Sequence, residues 1–351
     1  MSGGVDSSVA AALLKRQGHD VVGVTMKIWD GESLPEKTAH GCCYGPENED
    51  IEDARRVAEA LGIPFHVFDL RREYRDEVLA YVRREYTAGR TPNPCVKCNR
   101  RVKLDSLVEK AREAGIRFEF VATGHYARAE RDETTGRCLL KKATDATKDQ
   151  SYFLYSLSQE QLARSVFPLG DCTKKQVRRL ATDFRLSVHD KPESQDFAAG
   201  GYGSLVGASA RPGPIVDTQG NALGRHRGIP FYTVGQRRGL GVAAHQALYV
   251  IEIDAERNAV VVGSKDQVYH DELECSELNW MAIQRLEGPI QARARIRYSH
   301  KEAEATVSPL GENRAKVKFS EPQMAITPGQ AVVFYEGDIV LGGGTIDRSV
   351  S

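Results

Sequence analysis

The feature that most constrains the fold is a glycine- and serine-rich segment at the start of the chain, followed directly by a helix-forming stretch. Residues 2–8 read Ser-Gly-Gly-Val-Asp-Ser-Ser, and residues 7–17 are rich in Ala and Leu and end before Gly18. Adjacent glycines let a backbone approach an anion closely, and free N–H groups at a helix N-terminus bind phosphate. Asp6 suits Mg²⁺ better than phosphate. The segment predicts a phosphate-binding loop; a turn that only caps a helix is the alternative.

Apolar spacing beyond this loop predicts alternating helices and strands, then short strands after residue 200. The first pattern is typical of a parallel sheet covered by helices and the second of a barrel. We predict an α/β parallel-sheet nucleotide-binding domain over residues 1–199, a small middle domain over 200–266 and a C-terminal β-barrel over 267–351. The predicted helices are 7–17, 50–61, 72–86 and 104–114, and the predicted strands are 21–26, 63–70, 118–123, 247–253, 259–263, 291–298, 315–319 and 331–335.

Charge and hydropathy exclude some classes of protein. The 48 basic and 48 acidic residues give no net charge, so a nucleic-acid partner needs local basic patches. No apolar run reaches the roughly 20 residues of a membrane span, and the N-terminus has no signal-peptide pattern. We therefore expect a cytoplasmic protein with no membrane partner.

One predicted barrel strand separates basic from apolar side chains. Alternate residues of a strand share a face, so three arginines should lie on one side and three apolar residues on the other. These residues are Arg293, Arg295 and Arg297, and Ala292, Ala294 and Ile296.

The cysteines indicate reactive or metal-binding thiols. The chain has seven, an odd number that argues against a disulfide framework in a cytosolic protein. Cys95 and Cys98 are separated by two residues, as metal ligands often are. Arg100, Arg101 and Lys103 follow, and positive charge beside a thiol favours the nucleophilic thiolate.

The phosphate loop resembles the signature of the PP-loop ATP pyrophosphatases, and further motifs narrow the resemblance to the tRNA 2-thiouridylases. The resemblance extends over the whole chain in the order of that family. The motifs are Thr-Pro-Asn-Pro-Cys-Val-Lys-Cys-Asn at 91–99, Ala-Thr-Gly-His-Tyr at 122–126, Lys-Asp-Gln-Ser-Tyr-Phe at 148–153, Thr-Val-Gly-Gln-Arg-Arg-Gly-Leu-Gly at 233–241, Arg-Tyr at 297–298 and Thr-Pro-Gly-Gln at 327–330.

The resemblance implies a parallel sheet of about five strands and an ATP-dependent 2-thiolation of the wobble uridine, U34, of the Lys, Glu and Gln tRNAs. It implies ATP with Mg²⁺, a sulfur donor such as a cysteine desulfurase or relay protein, and Cys98 as the nucleophile. The implied ATP-binding residues are Met1, Ser2, Gly3, Gly4, Val5, Asp6, Ser7, Met26 and Gly124. The implied tRNA-binding residues are Asn93, Pro94, Cys95, His125, Lys148, Asp149, Gln150, Arg297, Tyr298 and Gln330.

The chain departs from the family pattern in three places. Relatives have a strand ahead of the phosphate loop, whereas this sequence begins at the loop. Either the start is mis-assigned or the first strand is missing; a sheet without that strand should be poorly stable, so we expect the sequence to be truncated. Two-cysteine members carry a second catalytic cysteine where this chain has Ala198, and they usually carry Asp where it has Cys95.

Three hypotheses follow for the sulfur chemistry. Cys95 could replace the missing thiol as the resolving or persulfide partner. Cys95 and Cys98, with Cys42 or Cys43 as third ligand, could hold a [4Fe–4S] cluster, and a structural zinc is the third hypothesis. The alternatives to the whole function are a PP-loop synthetase acting on a small metabolite and a non-catalytic tRNA-binding relative.

Overall fold

The computed structural model describes residues 1–29, 47–192 and 210–350. Within these ranges no helix is long and apolar enough to cross a membrane. The chain divides into two compact units. The first comprises Met1–Val78, Cys95–Gly200 and Gly337–Val340, and the second Leu79–Pro94, Gly201–Glu336 and Leu341–Ser351.

The first unit confirms the α/β prediction. Its α-helices are Val5–Arg16, Glu47–Leu61, Arg71–Tyr74, Leu107–Glu113, Gln159–Ala163 and Lys174–Asp183. Its strands are Gly23–Lys27, Phe65–Asp69, Val121–Ala122, Ala127–Arg131, Cys138–Lys142 and Ser165–Val166.

The parallel strands of the first unit form two separate sheets, whereas the family resemblance implies a single sheet of about five. Gly23–Lys27 pairs in parallel with Phe65–Asp69, and Val121–Ala122 with Ser165–Val166. On the edge of Gly23–Lys27 that faces away from Phe65–Asp69, the Val24 carbonyl accepts a hydrogen bond from the amino group of Met1. Met1 therefore covers part of the edge that a neighbouring strand would use. The predicted strand 118–123 is reduced to its last part, Val121–Ala122.

The core of the first unit lies against the helix that follows the phosphate loop. Val5, Val9 and Leu13 recur every four residues and are buried. They pack in one cluster with Val177 and Ala181 of Lys174–Asp183. Each fully buried aliphatic side chain contributes roughly 1.5–3 kcal/mol to the free energy of unfolding, so this packing fixes the loop at the helix's N-terminal end.

The predicted helix 104–114 starts ten residues too late, because a Pro-Asn-Pro sequence is also typical of an irregular loop. The structure has helical backbone from Pro94 onwards: an α-helical turn Pro94–Lys97, a π-helical segment Cys98–Ser106 and the α-helix Leu107–Glu113. Proline is favoured at a first helical position, since its missing N–H has no partner there in any case. The predicted helix 72–86 is likewise interrupted by a π-helical segment, Arg75–Leu79, between Arg71–Tyr74 and Ala80–Thr87.

The second unit contains a four-stranded sheet and a barrel. The sheet has the order Ala222–His226, Gly213–Asp217, Ala259–Gly263, Tyr249–Asp254. The barrel has the order Tyr269–Trp280, Arg314–Met324, Ala303–Pro309, Ile290–Arg295, Ala331–Glu336, Ile339–Val350, and its first and last strands also pair with each other. The barrel prediction is therefore confirmed.

The predicted division of residues 292–297 into two faces is confirmed for the apolar side. Ala292, Ala294 and Ile296 are 9%, 1% and 2% exposed and belong to the barrel core. Arg293 is exposed on the opposite face. The predicted strand ends early, at Arg295, so Arg297 lies beyond it.

Candidate active site

The phosphate loop has the geometry that its sequence predicts. Gly4 is the N-cap of Val5–Arg16, in extended conformation, and has no side chain that could accept from the first N–H groups of the helix. Gly3 has a φ of +66°, and a Cβ there would lie 2.2 Å from the carbonyl oxygen of Asp50. The loop is held by serine hydroxyls: Ser2 N–H donates to Ser7 Oγ at 3.0 Å, and Ser8 Oγ donates to the Gly4 carbonyl at 2.8 Å.

A second motif packs directly on this loop. A Cβ on Gly124 would lie 2.7 Å from the backbone nitrogen of Ser7 and 2.8 Å from the carbonyl carbon of Asp6. Real Cβ atoms do not approach backbone that closely, so the contact requires glycine. Met26, the other predicted nucleotide contact outside the loop, lies half-buried on the strand Gly23–Lys27. The structure thus brings Gly124 to the predicted phosphate site.

Two residues that sequence reasoning missed meet Asp6. Lys174 Nζ lies 2.7 and 2.8 Å from the two carboxylate oxygens of Asp6. The Tyr126 hydroxyl donates to Asp6 Oδ1 at 2.8 Å. Tyr126 could have been found, since it stands two residues after Gly124 in a recognised motif. Lys174 carried no such signal, because it stands 168 residues from Asp6.

Magnesium fits this site only with substrate phosphates as its main ligands. Across the described parts of the chain, no group of three His, Cys, Asp or Glu side chains could hold a metal ion. Mg²⁺ bound with ATP usually takes one or two carboxylates, substrate phosphates and water. Asp6 can be such a carboxylate, although Lys174 now neutralises it.

The two cysteines lie on the first turns of one helix. Cys95 is half-buried and Cys98 is 2% exposed, and neither forms a disulfide within the described residues. Cys98 begins the π-helical segment, and such segments are rare and often found at functional sites. Gln161 Nε2 donates to the carbonyls of Arg100 and Leu104 at 2.9 and 3.1 Å, so a side chain satisfies backbone acceptors along this segment.

The basic residues that follow Cys98 interact with different groups. Arg101 lies 3.6 Å from Asp105 and 4.0 Å from Glu77, so carboxylates offset its charge. Burial and, to a lesser extent, the charge of Lys103 lower the pKa of the Met1 amino group to about 5. The charge of Lys103 is therefore felt at the phosphate loop.

Asp149 and Gln150 are bonded within the protein. The Asp149 carboxylate is buried and accepts from Ala143 N–H at 3.1 Å, from Ser151 N–H at 3.2 Å and from Ser151 Oγ at 2.9 Å. Gln150 Oε1 accepts from Tyr126 N–H at 2.9 Å. These hydrogen bonds stabilise the segment that carries Lys148, which is half-buried, and fix the backbone of Tyr126.

His125 is a neutral imidazole at physiological pH. Burial, with the charge of Lys103 as a smaller cause, lowers the pKa of His125 to about 3. Its Nδ1 lies 2.8 Å from Thr123 Oγ1. The ring can therefore exchange hydrogen bonds with a base, but it cannot attract phosphate by charge.

The predicted tRNA contacts of the second unit organise residues 91–94. Gln330 Nε2 donates to the carbonyls of Thr91 and Pro92 at 2.9 and 3.2 Å. The backbone of Asn93 hydrogen-bonds Tyr81, and Pro94 is buried. These contacts fix the chain just before the first cysteine.

Arg297 and Tyr298 lie where barrel and middle segments of this unit meet. Arg297 donates to the carbonyls of Val234 and Ala325 at 2.9 and 3.2 Å and to Thr327 Oγ1. The guanidinium of Arg295 lies 5.2 Å from the centre of the Tyr298 ring. Arg297 therefore links the 233–241 motif to the 327–330 motif.

A [4Fe–4S] cluster needs more ligands than the described residues supply. Cys95 and Cys98 provide two thiols, and no third ligand joins them within residues 1–29, 47–192 and 210–350. Cys42, Cys43 and Ala198 lie outside the described residues.

The sequence matches family models over most of its length. A tRNA methyl transferase HUP domain matches residues 1–198, a tRNA methyl transferase PRC-barrel domain residues 206–264, and an aminomethyltransferase β-barrel domain residues 270–346. The protein named tRNA-specific 2-thiouridylase MnmA in Desulforamulus reducens is 48% identical, over 100% of this chain and 96% of its own length. Proteins of the same name in Clostridioides difficile and Moorella thermoacetica are 46% and 49% identical, over 100% and 99% of this chain and 97% and 98% of theirs.

Proposed function

The chain belongs to the family of tRNA-specific 2-thiouridylases, and we propose that it acts on the wobble uridine, U34, of the Lys, Glu and Gln tRNAs. Its reaction is the 2-thiolation of uridine in tRNA, a sulfur transfer that uses ATP with Mg²⁺. We assign nucleotide binding and catalysis to residues 1–199, and tRNA binding to the barrel, 267–351, with 200–266 between them. A cysteine desulfurase or relay protein supplies the sulfur.

The observation that carries the proposal is the contact of two distant motifs at the phosphate loop. Gly124 packs against Ser7 so closely that no larger residue fits, and the first N–H groups of the helix face a loop of small residues. This arrangement suits the activation of a carbonyl oxygen by ATP. The uridine O2 forms a bond to the α-phosphorus, and the bond to the bridging oxygen breaks with its electron pair leaving on pyrophosphate. The N–H groups of the loop would stabilise that charge, and Mg²⁺ held by Asp6 would supply further positive charge there.

Cys98 then delivers sulfur as a persulfide. The outer sulfur attacks C2, and AMP leaves with the electron pair of the C–O bond. The Cys95 thiolate attacks the Cys98 sulfur, so the S–S bond breaks towards the base and a Cys95–Cys98 disulfide remains for a thiol reductant. A Cys-x-x-Cys pair on the first turns of a helix has the spacing of dithiol oxidoreductases as well as that of metal ligands. Within the described residues no third ligand joins the pair, which favours this route over a cluster or a zinc ion.

Nucleoside mass spectrometry tests the proposal. tRNA is taken from cells lacking the gene and complemented with wild type, Cys98→Ser or Cys95→Ser, with Cys172→Ser as a control at a half-buried free thiol elsewhere. We expect 2-thiouridine with wild type and Cys172→Ser only. Full 2-thiouridine with Cys98→Ser would refute the assigned nucleophile, and none with wild type would refute the function.

Iron and acid-labile sulfide measured on the same protein, purified without oxygen, distinguish the persulfide route from the cluster route. The persulfide route predicts no iron and no acid-labile sulfide after reconstitution with activity retained. Iron and sulfide in a ratio near one, lost in Cys95→Ser, would replace it with the cluster route.

A further inference from the structure

Lys174 and Asp6 form a half-buried ion pair at the N-terminal end of the phosphate-loop helix. The Lys174 side chain is 13% exposed and the Asp6 side chain 33%. The ammonium bonds both carboxylate oxygens, and it also lies 5.7 Å from the centre of the Tyr126 ring. Tyr126 in turn donates to Asp6. The three side chains thus converge within one turn of the N–H groups that bind phosphate.

The backbone of Lys174 is fixed, so only its side chain can re-aim. Lys174 is the first residue of the helix Lys174–Asp183, where Thr173 and Gln176 form a capping box. Its N–H donates to Asp145 Oδ2 at 2.9 Å, and Asp145 Oδ1 accepts from Thr147 N–H at 3.0 Å. A lysine side chain has four flexible carbons and a compact charge with three donors. The ammonium can therefore move several ångströms while its helix stays in place.

The negative charge of the Asp6 carboxylate would repel a triphosphate, and the Lys174 ammonium offsets that charge. A triphosphate brought to this loop meets the negative charge of Asp6, and Mg²⁺ binding to Asp6 competes with the ammonium already there. A largely buried ammonium is not left without an anion, because desolvating an unpaired charge is costly. If Asp6 held Mg²⁺, Lys174 would need another anion, and the phosphates of ATP bound at the helix terminus would supply one.

We infer that Lys174 is a phosphate-binding residue of this enzyme, held on Asp6 until magnesium and ATP arrive and then transferred to the β- and γ-phosphates. The inference rests on the proposed use of ATP by this site. When the α-phosphorus to oxygen bond breaks, its electron pair goes to pyrophosphate, and the Lys174 ammonium stabilises that growing charge without giving up a proton. AMP, which has no β- or γ-phosphate, gains nothing from Lys174.

Binding of ATP and of AMP with Mg²⁺ present separates this role from a structural one. We compare wild type, Lys174→Met, Asp6→Asn and the double variant, with Lys175→Met, at an exposed neighbour, as control. A charged hydrogen bond to phosphate is expected to be worth about ten- to a hundredfold in affinity. Lys174→Met should weaken ATP by that factor and leave AMP within about twofold.

The double variant excludes simple neutralisation of Asp6. If Lys174 binds phosphate itself, the double variant binds ATP more weakly than Asp6→Asn by about ten- to a hundredfold. If Lys174 only neutralises Asp6, the double variant binds ATP as tightly as Asp6→Asn does, which would overturn the inference. Equal weakening of ATP and AMP by Lys174→Met would overturn it too.

tRNA-dependent pyrophosphate release gives the catalytic readout. Lys174→Met should lower kcat by about a hundredfold, as the loss of one charge-stabilising donor does elsewhere, while the KM for tRNA stays unchanged. The two proposals fail separately. A wild type that binds ATP but makes no 2-thiouridine refutes the function and leaves the binding comparison readable, whereas an active wild type matched by Lys174→Met refutes only the role of Lys174.

Discussion

The two units of the molecule treat their strand edges in opposite ways. In the second unit six strands close on themselves through the pairing of Tyr269–Trp280 with Ile339–Val350. In the described part of the first unit the parallel strands form two separate pairs, and loops of small residues, such as those at Gly3 and Gly124, lie near their ends. Closed sheets satisfy their backbone internally, whereas open strand ends leave N–H groups for a ligand. From this comparison we expect the barrel to contribute most to stability and the open strand ends of the first unit to bind the nucleotide.

The strongest way to break this comparison is to empty the barrel core. Phe334 is fully buried and stacks on Trp280 at 5.7 Å. Phe334→Ala should lower the free energy of unfolding by about 3–5 kcal/mol, measured by chemical denaturation. ATP affinity below the transition should match wild type. A loss of ATP affinity in the still-folded variant would contradict the division of labour.

The next largest effect is expected at Gly124, where a substitution should lower ATP affinity more than it lowers the free energy of unfolding. A Cβ there meets Ser7 and Asp6 backbone, so Gly124→Ala should displace the loop and reduce ATP binding by about a hundredfold. Gly288, whose Cβ position meets no atom within 4 Å, provides the control Gly288→Ala. Equilibrium dialysis with ATP measures both. Equal ATP affinity in the two variants would show that the motif does not support the loop.

A smaller effect is expected where Gln330 holds residues 91 and 92. Gln330→Ala removes the donor to both carbonyls and should raise the KM for tRNA about tenfold, the value of one to two buried hydrogen bonds. Amide exchange at Thr91 should rise even without tRNA. Gln323→Ala, which removes only a local bond to Glu321, is the control. A raised KM with unchanged exchange would mean that Gln330 touches RNA directly and does not act through the segment.

The smallest effect is a dependence of stability on pH. His125 has a folded-state pKa of about 3, below the usual value near 6.5 of an unfolded histidine. The unfolded chain therefore takes up the proton first, and stability falls as pH drops from about 6.5 towards 3. The two pKa values alone would give a loss of about 2 kcal/mol between pH 7 and pH 5. Because the His125 side chain is half-buried and not fully buried, we expect about 1 kcal/mol of it.

Comparing pH 7 and pH 5 in His125→Gln tests this assignment. The variant should lose that part of the pH dependence, whereas His66→Gln, at an exposed ring, should keep it. An unchanged slope in His125→Gln would show that other groups produce it.

Local sequence predicted the phosphate loop and the barrel, because each depends on short-range conformation. The family resemblance gave Gly124 only as an ATP-binding residue, and its close contact with the loop is an observation of the structure. Local sequence did not predict Lys174, whose partner is distant in sequence, nor the helix beginning at Pro94, because Pro-Asn-Pro is equally typical of a loop. Asp149, Gln150 and Arg297 were predicted as tRNA contacts. Their observed bonds are internal, and contact with tRNA stays a prediction.

The π-helical segment Cys98–Ser106 lies in the helix that begins at Pro94 and contains one residue more than regular α-helical winding would need. Each residue of an α-helix turns the chain by about 100°, and a wider turn accommodates one residue more than regular winding needs. Tightening this segment to regular winding would swing everything before it, Cys95 included, around the helix axis by roughly that angle. The direction of both thiols is thus set by helical pitch, a property spread over nine residues rather than held by any one side chain.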